Sequence, residues 1–300
     1  MDVFVAGGCS WDAIVYLDQF PDGPGTVFAR DFRETVGSSG TGKALNLGRL
    51  GVGTRFHAMV GEDRFGTAIR ERLDTEPITT AFDLDPAGTE RHVNLMDDAG
   101  DRISIFTVPP TQEPDIDYGR LETWVAAADA LVVSPVNYTR PLVETAAAVG
   151  TPVWADVHEY DGEDDYFETF VAGADALFLS DEAIGDYEAF MREQIAAGKR
   201  LVVCTHGDAG ASAMTPDGEL VTVDAVDAEV VDTNGAGDAF FAGYLYGYRQ
   251  GESVETCLRL GAIAGGLAVE SRELAHPELS SERLAAEYER RYDDARKSAR

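Results

Sequence analysis

Five short, unbroken apolar runs, at positions 3–6, 130–133, 152–155, 176–179 and 201–204, limit what this chain can fold into more than any other feature. A strand with one face in water alternates apolar and polar residues, whereas a strand covered on both faces is apolar throughout. Between the runs lie stretches with helical spacing, at 121–128, 141–149 and 188–197. Strands and helices taking turns predict an α/β fold, a mostly parallel sheet flanked by helices, with an active site at the carboxyl ends of its strands. The 300 residues hold no internal repeat, low-complexity tract or Pro-, Gly- or Ser-rich linker, so one domain spanning 1–300 is expected.

Two regions depart from this alternation. Residues 26–36 and 90–108 interleave polar and apolar side chains, and Asp97-Asp98-Ala99-Gly100 reads as a hairpin turn between 91–96 and 102–108. They predict a small, half-exposed antiparallel sheet built from about 13–36 and 88–110. It serves either as a lid over a substrate or as a plain edge extension.

Composition narrows the function classes. The formal charge is -30, from 54 acidic and 24 basic residues, with Lys43, Lys199 and Lys297 the only lysines. Repulsion on this scale needs concentrated cations to screen it, so a halophilic protein of a salt-rich cytoplasm is expected. Nucleic-acid binding requires clustered Lys and Arg that this chain lacks. No apolar run approaches ~18 residues, so no membrane partner or span is expected. The first residues lack a basic segment and a cleavage site, which points to a cytoplasmic location. Cys9, Cys204 and Cys257 have no metal-ligand spacing and read as reduced thiols.

The chemistry concentrates in Val230-Val231-Asp232-Thr233-Asn234-Gly235-Ala236-Gly237-Asp238. A strand is expected to end near Val231, then a loop of small residues, then a helix from Asp238 that stops at Gly251. Small residues at a helix start let backbone N–H groups converge on an anion, aided by the positive end of the helix dipole. Asp238 in the first turn would stand beside a transferring phosphate, placed to accept the proton of an attacking hydroxyl. Alone it could be a helix cap; its coincidence with the glycine loop favours the base.

Asp232-Thr233-Asn234-Gly235-Ala236-Gly237-Asp238 resembles the carboxyl-terminal signature of the ribokinase, or PfkB, family of carbohydrate kinases. The resemblance implies a ribokinase-like fold with a small β-sheet lid, ATP with Mg²⁺, and a hydroxylated acceptor. It further implies Asp238 as base, Gly235, Ala236 and Gly237 as anion hole, Thr233 beside the nucleotide, Asp232 near a monovalent cation such as K⁺, and a homodimer joined through the lids. Gly7-Gly8-Cys9-Ser10-Trp11-Asp12 resembles the family's first strand, which implies an acceptor-binding Asp12. Val60-Gly61-Glu62-Asp63-Arg64-Phe65-Gly66, Gly100-Asp101-Arg102 and the helical stretch 261–269 resemble further family segments. Thr205-His206-Gly207-Asp208-Ala209-Gly210 resembles a nucleotide-side loop, which implies contacts from Thr205, Gly207 and Gly210.

The segment from Gly37 to Gly51 is similar to the family's other signature, with Ser38 in place of a glycine and Gly42 in place of the substrate-binding Asn. Gly37, Ser38 and Gly42 are therefore candidate acceptor contacts. An open Gly42 predicts a substrate with bulk there and poor use of free ribose; Asn46, one turn along, is the rival source of the missing amide. Asp156-Val157-His158 replaces D-x-N, and Ser180-Asp181-Glu182-Ala183 replaces N-x-x-E, which leaves Asp181 or Glu182 as substitute Mg²⁺ ligands.

Gly37 to Lys43 also has P-loop spacing, but Ala44 lacks the hydroxyl that would hold Mg²⁺. Lys43 reads as a surface lysine or as a partner for phosphate charge. His57, His92, His158, His206 and His276 are scattered and read as structural. A nucleoside kinase of the same family, or a ligand-binding member without turnover, are the competing functions.

Overall fold

The computed structural model describes residues 2–98 and 101–293. Nine strands form the main sheet: β1 (Asp2–Ala6), β4 (Gly53–Val60), β5 (Thr79–Leu84), β8 (Ala130–Val133), β9 (Val153–Asp156), β10 (Ala176–Ser180), β11 (Leu201–Thr205), β12 (Ala211–Met214) and β13 (Leu220–Val223). Their order is β13-β12-β11-β10-β9-β8-β1-β4-β5, parallel except for the antiparallel pairs β11/β12 and β12/β13.

The continuous apolar runs are explained by what covers each face. Val3 and Val5 point to a core shared with α1 (Ser39–Arg49), α7 (Ala236–Gln250) and α8 (Val254–Val269). Phe4 and Ala6, between them in sequence, point to a second core beneath α3 (Tyr118–Ala127), α4 (Arg140–Val149), α5 (Glu168–Gly173) and α6 (Tyr187–Ala196). Successive strand residues face opposite sides, so two covered faces demand apolar residues at both parities. The helices α2 (Arg64–Leu73) and α9 (Ser281–Tyr288) complete the shell.

A second sheet has the order β3-β2-β6-β7, from β2 (Ser10–Tyr16), β3 (Asp31–Gly37), β6 (Glu90–Met96) and β7 (Arg102–Val108). It is mixed rather than wholly antiparallel, because β2 and β6 run parallel. Residues 26–30 carry no strand. Asp97 donates to the Asp101 carbonyl at 3.2 Å and closes the β6–β7 hairpin; Ala99 and Gly100 of the expected turn lie outside the described residues. The strand expected to end near Val231 is absent. Val230 and Val231 are 63% and 46% exposed in a loop that touches the main body where the Val231 N–H meets the Val269 carbonyl at 2.7 Å.

Candidate active site

α7 begins where Gly235 takes a left-handed backbone, φ 84°, which glycine adopts without strain. A Cβ there would stand 2.8 Å from the Leu274 carbonyl oxygen, so the turn is closed to other residues on both grounds. The first N–H groups of a helix lack intrahelical acceptors and carry the positive end of its dipole. Over Gly237 nothing lies within 4 Å, whereas the Ala236 N–H leans on the Thr233 carbonyl at 3.3 Å. The start of α7 is therefore open over Gly237, on the side where a helix start favours an anion.

Asp238 follows in the first turn, 8% exposed. Its carboxylate lies against Gly42, where an added Cβ would be 2.1 Å from Oδ2. The space expected to be open above Gly42 is therefore filled by the carboxylate, and a substrate with bulk at that point is ruled out. Asn46 offers an acceptor no free N–H either, since its amide nitrogen is already engaged. It is fully buried, and its amide donates to the Gly42 carbonyl at 2.8 Å and the Leu274 carbonyl at 3.3 Å.

Lys43 is fully buried, so it is no surface lysine. Its Nζ stands 2.6 Å from Asp238 Oδ1, 2.8 Å from Asp156 Oδ2 and 2.9 Å from Ser39 Oγ. Burial favours a neutral amine, but the charges of Asp156 and Asp238 prevail and raise its pKa. Burial pushes the Asp238 carboxyl above the usual carboxylate range, with Lys43 and His158 pulling the other way. His158, on a left-handed backbone (φ 53°), has Nδ1 3.4 Å from Asp156 Oδ2 and Nε2 3.2 Å from Ser39 Oγ. Sequence reasoning missed this cluster, although a lysine inside a glycine-rich segment is conspicuous in a chain with three lysines and 54 acids.

The β2 side supplies a second network. Asp12 accepts from Ser10 Oγ at 2.6 Å and Asn94 Nδ2 at 3.0 Å, with His92 Nδ1 3.4 Å away. Gly37 makes room for it, since a Cβ there would sit 2.1 Å from Asp12 Oδ2. Ser38 adopts φ 71°, ψ 148°, a region natural to glycine, and this is why a serine there is strained. His92 Nε2 also meets Glu90 Oε1 at 2.7 Å. Burial works against its protonation, but the hydrogen bonds and charges of Asp12 and Glu90 overcome it and raise the pKa from 6.5 to about 9.

A raised histidine pKa stabilises the fold fully below pH ~6.5 and loses that contribution as pH rises through about 9. The contribution should be on the order of 3 kcal/mol. Urea unfolding of the wild type and His92→Gln at fixed molar KCl should show a stability gap that shrinks from pH 6.5 to 9. A constant gap would reject the protonated histidine.

On the other side, Thr205 ends β11, and Gly207 and Gly210 take φ 56° and 107° in the turn that follows. A Cβ on Gly210 would lie 2.1 Å from the Val223 carbonyl oxygen, so this glycine is required by packing. Thr233 lies in the loop before α7, and Asp232 accepts from Tyr16 Oη at 2.6 Å and the Asn234 N–H at 2.9 Å. The Asp232 carboxylate therefore ties the small sheet to this loop, which is a role the cation assignment did not foresee. Asp181 Oδ2 is 2.8 Å from His206 Nδ1, and Glu182 is exposed beside it. Among the described residues no group of three or more His, Cys, Asp or Glu is arranged to hold a metal. An Mg²⁺ ion carried largely by nucleotide phosphates needs only one or two protein carboxylates.

The arrangement can bind a phosphate at a helix start and remove a proton beside it. A model described as pfkB family carbohydrate kinase matches residues 2–281. The chain is 35% identical over 277 residues to acarbose 7(IV)-phosphotransferase of Actinoplanes sp., covering 89% of this chain and 91% of that one. It is 28% identical over 306 residues to an ATP-dependent ribose-1-phosphate kinase of Halopiger xanaduensis, covering 97% and 99%. A solved microbiome-derived acarbose kinase superposes with a TM-score of 0.86 at 28% identity, covering 95% of this chain and 98% of that one. By this match over nearly its whole length, the chain belongs to the pfkB family of carbohydrate kinases and is an ATP-dependent phosphotransferase acting on a sugar hydroxyl.

Proposed function

We propose that this kinase phosphorylates a neutral sugar carrying a further glycosidic substituent, with Asp238 as the general base. The observation that carries the reading is Asp238, buried in the first turn of α7 one residue beyond the open Gly237. Bound ATP supplies the phosphoryl group, with Mg²⁺ offsetting its charge. Asp238 accepts the acceptor's hydroxyl proton, the α7 amides steady the phosphate oxygens, and Asp12 holds a second hydroxyl. The small sheet acts as a lid that excludes water. Three links to the main body support this: Tyr16 to Asp232 at 2.6 Å, Arg102 to Asn234 at 3.1 Å and Arg33 to Glu273 at 3.6 Å.

The acceptor class draws on the lining of a small open cleft beside Gly8, which includes Glu90, Thr111, Gln112, Asn137 and Tyr166. Amides, a hydroxyl and an aromatic ring suit a second sugar ring. None of the twelve lining residues is cationic, which disfavours ribose 1-phosphate. The acarbose kinases named above favour the same class. ADP release in molar KCl, across neutral oligosaccharides, free ribose, ribose 1-phosphate and nucleosides, tests it. Faster turnover with the glycosides is expected. A preference for ribose 1-phosphate or a nucleoside would overturn the acceptor class, and no turnover with any acceptor would favour a ligand-binding protein.

The charge of -30 supports a halophilic protein, and the small sheet supports a dimer. β7 is an edge strand whose Ile103 and Ile105 share one face and are 43% and 46% exposed, an apolar surface that a second copy would cover. From low to molar KCl the melting temperature should rise and the sedimenting mass should reach twice 32.3 kDa. A flat or falling melting temperature would remove the halophilic reading, and a monomer at every salt concentration would remove the dimer.

A further inference from the structure

Lys43 brings together two carboxylates from distant parts of the sequence, Asp156 and Asp238. An ammonium has three donors, and the three acceptors around Nζ, on Asp238, Asp156 and Ser39, match them. The Phe241 ring lies 5.4 Å away on one side. Stability does not explain the arrangement, because a buried ion pair can commonly be replaced by apolar residues of similar volume without loss. What it does provide is a fixed position and a compensating charge for one carboxylate in particular. Asp238 Oδ1 is held by Lys43, while its other oxygen packs over Gly42.

We propose that Lys43 is a positioning residue for the base: anchored on Asp156 and Ser39, it fixes the Asp238 carboxylate and keeps it ionised. This rests on the reading of Asp238 as base. In the transfer, the acceptor O–H bond breaks as its oxygen bonds to phosphorus, and the bond from phosphorus to the ADP oxygen breaks. The proton passes to Asp238 and later to solvent. Lys43 stays protonated throughout, since all three of its hydrogens are engaged. The charged groups facing Asp238 are Lys43 from α1, Asp156 from the end of β9 and His158 just beyond it. Lys43 and His158 favour the ionised carboxylate, and Asp156 opposes it.

Two substitutions therefore move the acid limb of kcat/KM in opposite directions. Lys43→Met removes the compensating charge, so the limb should shift to higher pH. Its kcat should fall by roughly 10²-fold through misplacement, with the KM for ATP little changed. Asp156→Asn removes the opposing charge and leaves Lys43 to Asp238 alone, so the limb should shift to lower pH. A merely structural lysine would change the melting temperature and leave both limbs in place. Wild-type kcat and an unmoved limb in Lys43→Met would overturn the proposal. If that variant fails to fold, the Asp156→Asn limb decides: a downward shift supports the proposal, and no shift or an upward one overturns it. Asp238→Asn, assayed in parallel, separates the two readings, because substantial turnover there would refute the base itself rather than its support.

Discussion

Asp238→Asn is expected to lose turnover by roughly 10²- to 10⁴-fold or more while keeping its fold. The substitution preserves volume and leaves an amide oxygen that can accept the 2.6 Å hydrogen bond from Lys43. Lys43 also keeps Asp156 at 2.8 Å, so no buried charge is stranded. What disappears is the group that takes the acceptor's proton. A folded variant should therefore melt near the wild-type temperature and bind ATP, yet release ADP at a small fraction of the wild-type rate in the presence of acceptor. Wild-type phosphoryl transfer would assign the base elsewhere. In the wild type, burial raises the Asp238 carboxyl above its usual range, so activity should fall on the acid side at a higher pH than an exposed carboxylate would give.

The fold was legible because its strongest determinants are local. Four consecutive apolar residues, as in β8 or β11, allow little besides a strand covered on both faces. The candidate site around Asp238 was legible for a similar reason, since Asp238 and its glycines are neighbours in sequence. Contacts between distant segments were not. Lys43 and Asp238 lie 195 positions apart, and nothing in the sequence around Lys43 says whether its ammonium meets water, phosphate or a carboxylate. Asn46 looked available because it lies one turn along from Gly42. That spacing is what lets its amide bond the Gly42 carbonyl instead. Val230 and Val231 read as a strand because β-branched pairs favour strands, but no neighbouring strand pairs with them and they remain in an exposed loop.

Gly42→Ala should inactivate the enzyme although alanine is the better helix former. In a solvent-facing turn of α1, replacing this glycine would stabilise the helix by roughly 1 kcal/mol. Here the new Cβ would stand 2.1 Å from Asp238 Oδ2, 2.7 Å from its Cγ and 2.9 Å from its Cβ. The clash is with the body of the side chain rather than a flexible tip, so the carboxylate must rotate or α1 and α7 must separate. Overpacking of this kind costs about 1–3 kcal/mol, which offsets the helical gain and leaves a modest net loss of stability. The effect on rate should be far larger, since moving a catalytic group by about 1 Å can lower turnover by roughly 10²-fold. Loss of kcat out of proportion to the change in melting temperature is therefore the expected signature, and the larger Gly42→Asn should be at least as severe. A Gly42→Ala enzyme that is both more stable and fully active would mean that the space above Gly42 is open in solution, and that Asp238 does not rest where this packing puts it.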